Sequence, residues 1–394
     1  MESTWFLAAL WLGLALVATL AAIALRISTA LSEIVVGTVA QLAIGACFGF
    51  TELGAKAPWI TFLAGTGAIV LTFLAGTELD TATFRDKWKE TSVIGLVGFF
   101  APFLGCTAVA HYLLGWTPRS SWLAGVALST TSVAVVYAVM LELGLNRTIY
   151  GKAILAACFI NDLGTVLALA LIFSPFTLRT LIFTAVALAT FLLLPWLTPR
   201  FFSRFGNRPS ELEAKFILFF LFALGGLAVW AGSEAVLPAY LIGMVLAGTV
   251  GKDHVLVRRL RTLTFGLLTP FYFIRAGSFV SVPALLAAPL VFLLLLAAKM
   301  VSKLAGLFPA TKAFGYRGKE RVYYTLLMST GLTFGTISAL FGLSHQIIGQ
   351  AQYSTLVAVV IASAVVPTLI ANAVFLPHHL LQAAPTQIEQ EGAT

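Results

Sequence analysis

The sequence predicts an all-α polytopic membrane protein with about thirteen transmembrane helices. Three observations carry that prediction. Of 394 residues, 59% are hydrophobic and only 10% are charged, with a mean hydropathy of +0.97. An average soluble domain carries about a quarter charged residues. Apolar runs recur at the roughly 20-residue length that crosses a hydrocarbon core of about 30 Å. The basic residues between those runs fall on alternate sides. Disorder is excluded, because 31 Phe and 8 Trp sit among runs of Leu, Ala and Val. Cys47, Cys106 and Cys158 are scattered through apolar stretches without metal-ligand spacing, which argues against a disulfide or zinc framework.

Taken in order, the first predicted span is 5–25. Met1–Thr4 lacks a basic stretch and Arg26 follows the apolar run, so this is read as a span and not a secretion signal. Next come 31–50, 58–77, 91–113, 121–141, 150–172 and 177–197. The eighth, 214–233, pairs with a short ninth, 236–251, across Gly232-Ser233-Glu234, and Gly243 and Gly248 interrupt the ninth. The tenth and eleventh are 262–281 and 284–307. Residues 322–388 hold no Asp, Glu, Lys or Arg, and the polar Ser344–Gln352 segment divides them between spans 321–343 and 353–376.

Loops after odd-numbered spans hold eighteen of the 24 Lys and Arg; loops after even-numbered spans hold four, Lys56, Arg119, Arg179 and Arg275. The positive-inside rule then predicts the N-terminus outside and the C-terminus inside. The net charge of +8 is thus a topology signal, and no nucleic-acid partner is expected. The tail 377–394 is too short to predict a further soluble domain.

The charges inside spans point to function. Most acids lie in loops or at span ends, with Glu78 and Asp80 closing the third span, Glu142 the fifth, and Glu33 opening the second near the interface. Asp162, following Asn161, stands in the middle of an apolar helix. A mid-bilayer carboxylate costs about 2.5–3.5 kcal/mol on insertion scales, so it marks an ion or proton path. Such a group can trade a proton for a metal ion. Lys299 and Lys303, four apart on one face of the eleventh span, are the matching cations. Pairing with Asp162 is favoured for Lys299, while Lys303 is equally readable as snorkelling to the interface.

Two spans carry runs of small polar residues. The fifth contains Ser129-Thr130-Thr131-Ser132, and the twelfth contains Ser329-Thr330-Gly331-Leu332-Thr333. Such runs weaken a helix and offer oxygens to a cation, and paired interruptions in two halves point to an inverted-repeat transporter with a midplane site. Seven spans separate the two, an odd number, which gives them opposite orientations.

At these residues the chain resembles the second family of monovalent cation–proton antiporters, which includes bacterial sodium–proton exchangers and the membrane parts of potassium efflux systems. The likeness runs over about residues 10–375, through Ile34-Val-Val-Gly37, Gly67 to Glu78, Ser129-Thr-Thr-Ser-Val133, Asn161-Asp162, Leu241 to Gly248, Pro270-Phe-Tyr-Phe and Ala298-Lys299. The resemblance implies a sodium/proton antiporter fold with two crossed, discontinuous helices. It implies dimerisation-domain helices in 1–90 and 201–282, core helices in 91–175 and 283–376, and a linker in 176–200. It further implies a homodimer in a bacterial cytoplasmic membrane and an elevator-like movement of the core. The ion-binding carboxylate maps to Asp162, the partner lysine to Lys299, and the unwound-helix hydroxyls to Thr131 and Ser132. Many electrogenic members carry two adjacent acids where this chain has Asn161-Asp162. That resembles electroneutral members, though those often carry Arg where this chain has Lys299.

The expected activity is exchange of Na⁺ or K⁺ for H⁺, with no cofactor beyond the transported ions and with membrane lipid as surroundings. The alternative is a sodium-coupled symporter of an organic anion on a similar scaffold. An enzyme is not expected, since an intramembrane aspartyl protease needs two mid-membrane acids and the Ser344-His345 pair at a span end lacks an oxyanion motif.

Overall fold

A computed structural model describes residues 2–25, 27–48, 53–173, 177–206 and 210–381. Arg26, Arg208 and the tail beyond residue 381 lie outside the described residues, as do the side chains of Cys47, Glu142 and Arg147. Long apolar segments in lipid must satisfy their own backbone, and every described element is helical. In chain order these are α1 (Glu2–Leu25), α2 (Thr29–Phe48), α3 (Pro58–Thr77), the short α4 (Thr81–Asp86) and α5 (Trp88–Ala108). Then follow α6 (Pro118–Ser129), α7 (Val133–Glu142), α8 (Ile149–Phe173), α9 (Leu178–Phe205), α10 (Leu212–Trp230) and α11 (Val236–Leu246). The last group is α12 (His254–Leu263), α13 (Thr269–Ser278), α14 (Val282–Ala287), α15 (Pro289–Ala313), α16 (Gly318–Leu327), α17 (Thr333–Ser344), α18 (Gln350–Val374) and α19 (His378–Leu381).

Eight of the described helices are long and apolar enough to cross a membrane, and α2, α11 and α17 are shorter apolar ones. Each of the thirteen predicted spans coincides with a helical segment, and the fifth and twelfth are each split in two. Several ends move for identifiable reasons. The seventh span runs on to Phe205 through Pro195 and Pro199, which membrane helices tolerate. The eleventh begins at Pro289, because Ser281 Oγ accepts from the Ala284 amide and starts the separate α14. The tenth is preceded by α12, whose basic face carries Arg258, Arg259 and Arg261 before a π-helical turn over Thr264–Leu268 leads into α13.

The chain divides into two compact units. The first contains residues 1–79, 166–289 and 336–357. Here α2 packs on α13 and α3 on α11, both through glycines. A Cβ on Gly277 would meet the Ile34 carbonyl oxygen at 2.0 Å, and one on Gly37 would meet that of Ile274 at 2.2 Å. Gly76 and Gly243 meet Tyr240 and Phe73 in the same way. Small residues let membrane helices approach where no hydrophobic drive brings them together. Thr38 adds a hydrogen bond to the Gly277 carbonyl at 3.0 Å, and Trp11 stacks on Phe271 while donating to the Leu53 carbonyl. Glu33, in the first turns of α2, is buried at 1% exposure.

The second unit contains residues 80–165, 290–335 and 358–394. Tyr150 donates to the Glu320 carbonyl at 2.7 Å and Tyr324 to that of Ala153 at 3.2 Å, tying α8 to α16. Asp80 caps α4 by accepting from Ala82 and Thr83 amides and pairs with Lys152 at 3.1 Å.

Two outcomes follow from this packing. Gly277→Ala lowers the thermal midpoint of the purified protein, at a cost of about 1–3 kcal/mol for an overpacked contact; an unchanged midpoint refutes the close approach. Partial burial pushes the Asp80 carboxyl up, but Lys152 and the Thr83 bonds outweigh it and hold the group below its ordinary value. Its stabilisation is therefore present above an unfolded pKa of about 3.9 and is lost as pH falls through the lower folded value. Asp80→Asn flattens that acid limb in melts from pH 7 to pH 3, modestly because the pair is well exposed.

Candidate functional site

The site lies wholly within the second unit and is built on two helix breaks. In α6 the Ser129 hydroxyl bonds back to the Val126 carbonyl at 2.8 Å and the Thr130 hydroxyl to that of Ala127 at 3.2 Å. In α16 the Ser329 hydroxyl takes the Thr325 carbonyl at 2.7 Å and the Thr330 hydroxyl that of Leu327 at 2.8 Å. Such local bonds compete with helix continuation, and both helices stop there. Residues 130–132 and 330–332 are non-helical. The breaks then satisfy one another: the Ser132 amide donates to the Thr330 carbonyl at 3.1 Å and the Thr131 hydroxyl to the Met328 carbonyl at 2.7 Å. The Ser132 hydroxyl accepts from the Val135 amide at 3.4 Å and caps α7. Thr333 is the first residue of α17.

Against this crossing α8 presents Asn161 and Asp162, and α15 presents two lysines, all at 0–1% exposure. The Asn161 amide group donates through Nδ2 to the Ser129 carbonyl at 3.2 Å, which turns Oδ1 inward. Lys303 Nζ donates to that Oδ1 at 3.0 Å and to Thr131 Oγ1 at 2.9 Å. The Thr131 amide donates to the Asp162 carboxylate. The other carboxylate oxygen, Oδ1, is buried without a hydrogen-bond partner among the described residues. Lys303 is the ammonium whose field reaches Asp162.

The pairing of Lys299 with Asp162 expected from the sequence is not formed. Lys299 Nζ donates instead to Ser363 Oγ on α18, at 2.8 Å. Gly331 leaves the room for it, since a Cβ there would stand 2.3 Å from that nitrogen. Lys303 lies one turn further along α15, level with Asn161, and is fully buried instead of snorkelling. Of the hydroxyls singled out in the sequence, Thr131 alone faces an ammonium, while Ser129, Thr130, Ser329 and Thr330 close their own helices. Ser363 was not among the expected residues. A lone serine in an apolar span is weak evidence, and only the position of Lys299 gives it meaning.

The arrangement sets a hydroxyl and an amide oxygen on one buried lysine, with the Asp162 carboxylate nearby but not ion-paired to it. Hard oxygen donors of this kind suit ions such as Na⁺ and K⁺. Residues 12–376 match the family described as sodium/hydrogen exchanger, transmembrane. The chain belongs to this exchanger family. Among similar proteins, the probable Na(+)/H(+) antiporter 3 of Methanocaldococcus jannaschii is 26% identical over 80% of this chain and 84% of its own length. The glutathione-regulated potassium-efflux system protein KefC of Salmonella arizonae is 26% identical over 78% of this chain, which spans 53% of that protein. The solved sodium proton antiporter MjNhaP1 of M. jannaschii shares the fold, with a TM-score of 0.72 over 98% of this chain and 99% of that one at 14% identity. Membership in an exchanger family agrees with the antiporter resemblance, identifies a multi-pass membrane transporter, and gives no support to the organic-anion symporter.

The two lysines are expected to differ in weight. Lys303→Met leaves two buried oxygens, Thr131 Oγ1 and Asn161 Oδ1, without their donor and lowers stability by about 1–3 kcal/mol for each. Lys299→Met removes one bond to a neutral hydroxyl, worth about 1 kcal/mol. Thermal midpoints in one detergent rank the two, and an equal or reversed order contradicts the geometry.

Proposed function

We propose that the chain exchanges a monovalent cation, Na⁺ or K⁺, for H⁺, and that Asp162 holds either the proton or the cation. The observation that carries this reading is the unpartnered, buried Oδ1 of Asp162 beside an ammonium that already occupies two neutral oxygens. Lys303 Nζ sits as a tethered cation on Thr131 Oγ1 and Asn161 Oδ1. An arriving metal ion takes the carboxylate of Asp162 and draws these oxygens from the lysine. A proton arriving on Asp162 removes the carboxylate's charge and expels the metal ion. Proton and cation thus compete for one group, and apparent cation affinity falls as pH falls. The relatives' names supply the choice between Na⁺ and K⁺, and the single mid-membrane carboxylate supports one-for-one exchange. The N-terminus-outside orientation rests on the segregation of basic residues, and placement in a bacterial cytoplasmic membrane rests on the family resemblance. Movement of the Asp162-bearing helices as a body, and a homodimer, rest on the family resemblance.

In proteoliposomes, Asp162→Asn is expected to abolish proton movement driven by Na⁺ or K⁺ gradients while keeping a folded, monodisperse protein. Retained exchange sinks the assignment. Wild-type exchange should register with a pH dye yet carry no steady current, and a current that scales with flux defeats the one-for-one reading.

A further inference from the structure

Apart from the ion site, the first unit carries a cleft of about 960 Å³ between the last turns of α8, the first half of α9 and the start of α11. Leu171, Leu181, Leu188, Phe191 and Leu241 make its walls apolar. Its polar groups gather at one end, where the Thr180 hydroxyl donates to the Ala231 carbonyl beside Thr177 and Ser233. From Thr177 to Phe191 the groove follows α9 for about 21 Å at 1.5 Å per residue. One leaflet's hydrocarbon is about 15 Å deep, so a whole acyl chain fits along it. Leu181 and Leu188 are 67% and 57% exposed, so the groove is open and not filled by the protein. Outside the cleft's own lining, next in sequence to Thr180, the Arg179 guanidinium lies 5.3 Å from the Trp230 ring and forms no ion pair among the described residues. Tryptophan at a span end marks the headgroup level, and Arg179 is one of only four basic residues in the even-numbered loops.

We infer that this cleft binds one glycerophospholipid with an anionic headgroup, its acyl chain along α9 and its phosphate on Arg179. A neutral lipid satisfies the walls but leaves the guanidinium without a full counter-charge. A second copy of the chain would need a convex apolar ridge ending in an acid at the level of Arg179.

The test is native mass spectrometry of the full chain, loaded with equal phosphatidylglycerol and phosphatidylcholine. One interfacial arginine favours the anionic lipid by about fivefold. Arg179→Gln should bring that preference close to unity while total retained lipid holds, and Arg179→Lys should restore most of it. Leu181→Trp, at an exposed wall position, should lower retention of both lipids, and it serves also if the arginine variant fails to fold. Equal retention by the wild type overturns the inference. So does a preference unchanged in both Arg179→Gln and Leu181→Trp, which means annular lipid only, or a dimer that Leu181→Trp splits, which means a second copy fills the cleft.

Discussion

An unsatisfied amide or carbonyl in hydrocarbon costs several kcal/mol, and a helix broken in mid-span exposes a row of them. The second unit meets that constraint by setting one break against another. The carbonyls of Ser129, Met328 and Thr330 accept from Asn161, Thr131 and Ser132 respectively. The carbonyls one turn back are taken by the serine and threonine hydroxyls that ended the helices. Neither break is self-sufficient, so the two form together or not at all. Asn161 belongs to this backbone repair as much as to any ion chemistry.

The repair also decides what the interior offers an ion. Thr131 has one hydroxyl proton and gives it to Met328, and Asn161 gives its Nδ2 to Ser129. Both are left presenting oxygen inward. A structural requirement thereby creates acceptors for positive charge, and Lys303 fills them. Lys299 and Ser363 form a separate pair one turn away, which keeps the second ammonium off the carboxylate.

Much of this was legible in the sequence because lipid constrains it so tightly. A run of Ser and Thr in an apolar span has few uses other than ending a helix, and a lone mid-span Asp has few uses other than ion chemistry. The breaks and Asp162 therefore stood out. The choice between Lys299 and Lys303 did not, because residues four apart share a face and the sequence holds no measure of depth or of what α18 supplies. Span ends shifted where short caps, as at Ser281, outweighed continuous apolarity.

Asn161 has one more consequence. Its amide is neutral at every pH, so of the adjacent pair only Asp162 changes charge. Under the proposed one-for-one exchange, swapping a proton for a monovalent cation there would move no net charge across the membrane, and the membrane potential, worth about 2.3 kcal/mol per charge per 100 mV, would do no work on the cycle. Under the proposed exchange the attainable gradients are then tied to each other alone. Each unit of pH difference sustains about a tenfold cation gradient, whatever the voltage.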